Sequence, residues 1–487
     1  MRKVDFEGIV TQARSAFCAP SVVAAVSWGG ETWYSAIGRR ALPGAAVDED
    51  TIYPIASVSK AFIASCIILL ADEGLLELDT PVKRYLPQLE LFTPELTEQL
   101  TVRDMLSHRS GLPRHDATLL TREDATLEET VASLRWLEPC WDLRERFFYQ
   151  NHMFALASLL VERVSGKPWA NVVRERLFAP LGMTRSYTAW REYERYDNNY
   201  AQPLATLGRV SLPVRPMSSD STACAGSLSM SVRDLLRWGQ ANLALYTDDG
   251  PHLIPRSVLE AHRPQTPIRA GEMMSYETPF VDEEFYGFGW FVESYRGVPL
   301  IHHGGTTAGF KSIVGFLPEH GCALAVLTNQ NASQVPLFVL RMLADAVLGA
   351  EPYDWQSFYA RVDAERGAKT QREYRAAFAL RRQPLPPACA GVYAHPAYGK
   401  LRIMNDLGGP RVRNGQRSHR LRPGTRTPWV LDTGIMRMAV PCAFEYEADG
   451  GEGGAGGVFE GEATPRAICA WLEPELATPI RFERLRG

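Results

Sequence analysis

The chain has 487 residues, 45% of them hydrophobic, which is enough for a full core and for more than one domain. Its net charge is -4, with 52 Lys and Arg dispersed among 56 Asp and Glu, so no basic field for nucleic acid is expected. The N-terminal stretch 1–17 carries acids early and lacks the apolar core of a signal peptide, and no run of about 18 apolar residues follows; the expected location is the cytoplasm, with no membrane partner. Eight cysteines (Cys18, Cys66, Cys140, Cys224, Cys322, Cys389, Cys442, Cys469) form no C-x-x-C pair and read as buried free thiols, not disulfides or metal ligands.

In chain order, SVVAAVSWGGETWYSAIGRRAL predicts a β-hairpin turning at Gly29-Gly30. Next comes TIYPIASVSKAFIASCIILLADEGLLELD, where Phe62, Ile63, Ile67, Ile68, Leu69 and Leu70 predict a buried helix beginning near Ser57. From Lys60 to residue 245 the pattern is mostly helical, broken at prolines and glycines. Strands are expected to return at Tyr286–Phe291, Ser312–Leu317 and Ala323–Thr328, followed by a helix over Pro336–Leu348. Strands, helices, strands and a helix in that order predict an antiparallel sheet assembled from both ends of a domain around a helical insertion. Residues 351–387 are charged and helix-prone and end in Pro384-Leu385-Pro386-Pro387, the texture of a linker. The β-rich tail after them suggests a small barrel or sandwich, and its glycine loop at 450–457 lacks the ending of a phosphate cradle.

Ser57-Val58-Ser59-Lys60 carries the first chemical signal. Three residues apart on a helix, Ser57 and Lys60 share a face, which lets an amine take the proton of a serine nucleophile. The positive end of the helix dipole and apolar surroundings both favour the neutral amine such a base needs. The plainer reading is an N-cap serine followed by a solvated lysine. A lysine in the first turn opposes the dipole, however, and Lys60 is one of only seven lysines and the one that follows a serine by three positions.

Further motifs agree with it in order. Tyr149-Gln150-Asn151 precedes an apolar helical run, and His303-Gly304-Gly305 lies in IHHGGTTAGF. Supporting stretches are Leu106-Ser107-His108-Arg109-Ser110-Gly111-Leu112-Pro113, Ala225-Gly226-Ser227-Leu228, Tyr286-Gly287-Phe288-Gly289-Trp290 and Phe316-Leu317-Pro318-Glu319. From roughly residue 20 to 345 the chain resembles the serine β-lactamase and penicillin-binding-protein superfamily, in the branch of class C β-lactamases, D-alanyl-D-alanine carboxypeptidases, D-aminopeptidases and related esterases.

The resemblance implies an α+β fold: a β-lactamase-like domain (1–350) with an antiparallel sheet, flanking helices and a helical subdomain, a linker (351–387), and a small all-β domain (388–487) similar to the lipocalin-like barrels of some peptidases in this branch. It implies a serine hydrolase working through an acyl-enzyme, with Ser57, Lys60 and Tyr149 catalytic. Asn151, His303, Gly304 and Gly305 would bind substrate, and the N–H groups of Ser57 and Thr306 would form the oxyanion hole. No metal or organic cofactor is implied, and the partner is a small-molecule or peptide substrate. Taken alone, Tyr149 reads as a core aromatic, Asn151 as a helix cap and His108 as structural, while His302 competes with His303 for the strand position. Class C β-lactamases and carboxypeptidases carry lysine at that position, so His303 favours D-aminopeptidase, amidase or esterase activity over β-lactam hydrolysis. A transacylase or macrocyclase using the same acyl-enzyme, and a non-catalytic penicillin-binding sensor, remain as alternatives.

Overall fold

A computed structural model describes residues 4–485 apart from 123, 190, 208, 219, 248–251, 270–271, 273–276, 332, 380–383, 407–408, 415–416, 433–438 and 447–463. The glycine loop at 450–457 lies outside the described residues. The chain divides into two compact units, one of residues 1–111, 126–132 and 141–360, the other of 112–125, 133–140 and 361–487.

The first unit is built on an eight-stranded antiparallel sheet. Strands β1 (Ser21–Trp28) and β2 (Glu31–Gly38) form the expected hairpin, whose turn glycines Gly29 and Gly30 both take positive φ. The remaining strands are β3 (Thr266–Pro267), β4 (Val281–Tyr286), β5 (Phe291–Tyr295), β6 (Val298–Thr307), β7 (Phe310–Leu317) and β8 (Cys322–Thr328). Their order is β2-β1-β8-β7-β6-β5-β4-β3, so β1 pairs with β8 and joins the early hairpin to the later strands. The stretch Tyr286–Phe291 is not one strand as expected: Tyr286 ends β4, Phe291 begins β5, and the residues between make the turn. Alternating aromatics mimic a strand there, but Gly289 takes φ +77°.

Among the described residues six α-helices exceed ten residues: α1 (Phe6–Ala16), α2 (Ser59–Asp72), α3 (Asn151–Ser165), α4 (Val232–Ala244), α5 (Val335–Leu348) and α6 (Trp355–Ala377). Neighbouring β7 residues show the layers. Val314 faces α4, where a Cβ on Gly239 would touch it, whereas a Cβ on Gly315 would meet Leu340 of α5. Adjacent residues point to opposite faces, so α4 and α5 sandwich the sheet. Helix α2 is apolar all round and buried from Ser59 to Leu70, with Phe62 stacked on Trp238 of α4 at 4.2 Å. A small sheet of Tyr53–Pro54, Ser229–Met230 and Ser186–Tyr187 anchors the chain just before Ser57.

The second unit is organised around a closed eight-stranded antiparallel barrel: β9 (Gly391–His395), β10 (Gly399–Asp406), β11 (Gly409–Asn414), β12 (Arg417–Pro423), β13 (Trp429–Asp432), β14 (Ala439–Glu445), β15 (Ala467–Ala470) and β16 (Ile480–Arg484). Pairing of Tyr393 with Arg484 closes it, which leaves no open strand edge. In the same unit His115 Nε2 donates to the Glu138 carbonyl at 3.0 Å, so its Nδ1 accepts from the Tyr398 hydroxyl at 2.6 Å, and Glu473 accepts the His115 backbone N–H at 3.1 Å.

Candidate active site

The chain enters the site through a strained turn. Ala56–Val58 form one turn of 3₁₀ helix ahead of α2, and Ala56 takes φ +47°, a backbone region that costs a non-glycine residue about 1–2 kcal/mol. Several bonds hold it there. Ser59 Oγ donates to the Ala56 carbonyl at 2.6 Å and accepts the Leu228 N–H at 3.1 Å, while the Ile55 N–H donates back to the Leu228 carbonyl. From the sheet, Ser312 Oγ donates to the Ile55 carbonyl at 2.7 Å. Gly305 lies so close that a Cβ on it would sit 2.0 Å from that carbonyl oxygen, which explains a glycine at this point of the strand. Ser57 makes no helix-capping bond.

Lys60, fully buried, gathers the elements around this turn. Its Nζ lies 3.1 Å from Ser57 Oγ, 2.8 Å from Asn151 Oδ1 and 2.7 Å from the Ala225 carbonyl. It also stands over the Tyr149 ring at 4.8 Å and the Phe154 ring at 5.5 Å. The Ala225 carbonyl is aimed by a kink at Ala223, which takes φ +45° within Asp220–Ala225. A backbone acceptor has no side-chain signature, so only the Ala225-Gly226-Ser227-Leu228 stretch hinted at it.

Asn151 is the first residue of α3 and not its cap. Gln150 caps the helix, its Oε1 accepting the His152 N–H at 2.7 Å, and this leaves the Asn151 side chain to reach Lys60. Tyr149 is buried against the rings of His108 (4.3 Å), Tyr286 (6.2 Å) and His303 (6.2 Å).

Strand β6 forms the opposite wall. Its pairing with β5 ends at Phe291↔His302, so among the described residues 303–307 have β7 as their strand partner and β5 does not continue along their other edge. The two histidines part here. His302 points to the α5 face, where Glu293 bridges it at 2.9 Å and Arg341 at 2.6 Å. His303 points to the Tyr149 side and is almost wholly buried. Its Nδ1 is 2.7 Å from the Gly304 carbonyl, which can only accept, so Nδ1 carries the proton and Nε2 accepts from the Tyr286 hydroxyl at 3.0 Å. Burial, and next the charge of Lys60, hold the His303 pKa well below its ordinary value, so the ring is neutral. Burial likewise pushes the Tyr286 phenol well up, keeping it a donor. Gly304 is half-buried, Gly305 packs on Ile55, and Thr306, paired with Lys311 of β7, is exposed. Tyr286 and His108 are the neighbours that motif spacing did not single out as site residues.

The chain is similar to known proteins over most of its length. The family model described as Beta-lactamase matches residues 6–348. The chain is 28% identical over 427 residues to unguisins hydrolase ungD' of Aspergillus campestris, covering 82% of this chain and 78% of that protein. The octameric penicillin-binding protein homologue from Pyrococcus abyssi superposes with a TM-score of 0.61 at 22% identity, over 90% of this chain and 95% of that one. D-amino acid amidase from Ochrobactrum anthropi SV3 in complex with L-phenylalanine amide gives 0.57 at 24% identity, over 71% and 96%. With residues 6–348, more than half its length, matched by that model, the chain belongs to the β-lactamase family of serine β-lactamase and penicillin-binding-protein relatives.

Proposed function

We propose that the protein is a serine hydrolase that cleaves amide or ester bonds of small peptides or D-amino-acid derivatives through an acyl-enzyme, with the chemistry carried by residues 1–350. Ser57 Oγ attacks the carbonyl carbon and its proton passes to the Lys60 amine. The N–H groups of Ser57 and Thr306 receive the oxyanion. Collapse expels the amine or alcohol, protonated through Tyr149, and water then attacks the acyl-enzyme and frees the acid and Ser57. Asn151 and the strand edge at His303, Gly304 and Gly305 hold the substrate.

The observation that carries this reading is the surroundings of Lys60 Nζ. Asn151 Oδ1 and the Ala225 carbonyl can only accept, so when the Lys60 ammonium gives up a proton they hold two of the hydrogens that stay, and the freed lone pair faces Ser57 Oγ at 3.1 Å. The choice of substrate follows from His303. A neutral ring with both nitrogens engaged offers no charge to a carboxylate, which favours amides, esters and internal peptide bonds over β-lactams. The names of the hydrolase and amidase relatives point the same way.

A panel of D- and L-aminoacyl p-nitroanilides and p-nitrophenyl esters, with free and blocked termini, tests it. Turnover of at least one member, lost alike in Ser57→Ala and Lys60→Ala, is the expected result because nucleophile and base act as a unit. Near-full activity in either variant refutes the assignment. Product analysis with an added amine separates hydrolysis from acyl transfer.

A further inference from the structure

His108 lies in the turn of Leu106-Ser107-His108-Arg109-Ser110-Gly111 and is wholly buried. Its backbone takes φ +56°, a strained state for a bulky side chain, and the surroundings hold it there. Its carbonyl accepts the Phe148 N–H at 2.9 Å and its Nδ1 accepts the Gln150 N–H at 3.2 Å, so this one residue grips the chain on both sides of Tyr149. The next turn of the grip is charged: the Asp104 carboxylate binds both Arg109 and Arg144, and the Arg109 carbonyl accepts the Arg144 N–H.

The ring lies among the aromatics that line the site. Its centroid is 4.3 Å from that of Tyr149, 4.5 Å from Tyr286 and 5.1 Å from Phe154. Each of those rings touches the site: Tyr149 and Phe154 lie under the Lys60 amine, and Tyr286 fixes His303. Of the reacting groups proposed above, His108 packs on the ring of Tyr149.

Resting on the hydrolase reading, we propose that His108 is a positioning residue: its Nδ1 acceptor sets the Tyr149–Asn151 corner against Lys60. A backbone N–H can only donate, so Nδ1 must present its lone pair, and a side chain with an acceptor at that point should replace it. Asparagine places its amide oxygen near the Nδ1 position, whereas glutamine carries it about one bond further out.

His108→Asn and His108→Gln therefore form the test, with His108→Ala in place of the glutamine variant if that one does not fold. Steady-state kinetics on p-nitrophenyl acetate and the acyl-enzyme burst are measured on the full chain. The expected result is a kcat within tenfold of the parent protein for the asparagine variant, and a fall of about 100-fold for the glutamine variant, the size associated with roughly 1 Å of misplacement. KM should stay within threefold in both. Equal kcat in the two variants, whether high or low, overturns the proposal, as does a loss confined to KM. If the parent protein shows a burst at Ser57 and the variants do not separate, only the positioning role fails. If the parent protein shows no acyl-enzyme, the hydrolase reading fails first.

Discussion

Replacing Gly289 by alanine probes how the β4–β5 turn sets the start of α2. Gly289 takes φ +77°, and a Cβ there would lie 2.7 Å from both Cα and N of Ala61 and 2.8 Å from the carbonyl carbon of Lys60. All three are backbone atoms, so no rotamer change relieves the clash. Restoring an ordinary 3.4 Å contact moves the turn and the start of α2 apart by about 0.7 Å. The positive φ costs about 1–2 kcal/mol and the overpacking about 1–3 kcal/mol, for a total of about 2–5 kcal/mol. Differential scanning calorimetry should show the Tm of the first unit lowered by about 3–7 °C. Because Lys60 carries the displacement, kcat on p-nitrophenyl acetate should fall by about 10- to 100-fold even well below Tm. A variant melting within about 2 °C of the parent and turning over within twofold of it would refute this account of the turn.

Two further predictions concern buried charge. Glu293→Ala leaves Arg341, whose side chain is only 2% exposed, without its counter-ion and should cost about 3–5 kcal/mol in denaturant unfolding; replacing both with Leu and Met should cost much less, and equal losses would contradict the pairing argument. In the barrel unit, burial and then the nearby Asp116 and Glu475 carboxylates push the Glu473 pKa up to about 8. A raised carboxyl pKa stabilises the fold fully below the ordinary carboxylate range, and that stability is lost as pH rises towards 8, by about 1.4 kcal/mol per pH unit. Melting of the parent chain should therefore weaken across this window relative to Glu473→Gln, and parallel curves for the two would show that Glu473 does not titrate there.

How much of this was legible in the sequence depends on how local each signal is. The β1–β2 hairpin announced itself because two glycines supply the positive φ that its turn demands. Helix α2 and the Ser57–Lys60 spacing were likewise local. Asn151 was harder, since both Gln150 and Asn151 are competent caps and only the Lys60 contact separates their jobs. The Gly-Phe-Gly-Trp turn was read as strand because its aromatics alternate; what bends it is the close approach to Ala61, far away in the chain. Barrel closure rests on Tyr393 meeting Arg484, a pairing of distant strands that no periodicity encodes. His108 looked structural because its partner is a backbone N–H, which leaves no mark on the residue type at position 150.

The central claim is the covalent intermediate on Ser57, and intact mass spectrometry tests it most directly. The full chain is quenched within seconds of mixing with a p-nitrophenyl ester or a fluorophosphonate, and the modified peptide is then mapped. One adduct per chain on Ser57, absent from Ser57→Ala and much slowed in Lys60→Ala, is the predicted result. An adduct on another residue, or turnover that persists in Ser57→Ala, would contradict it.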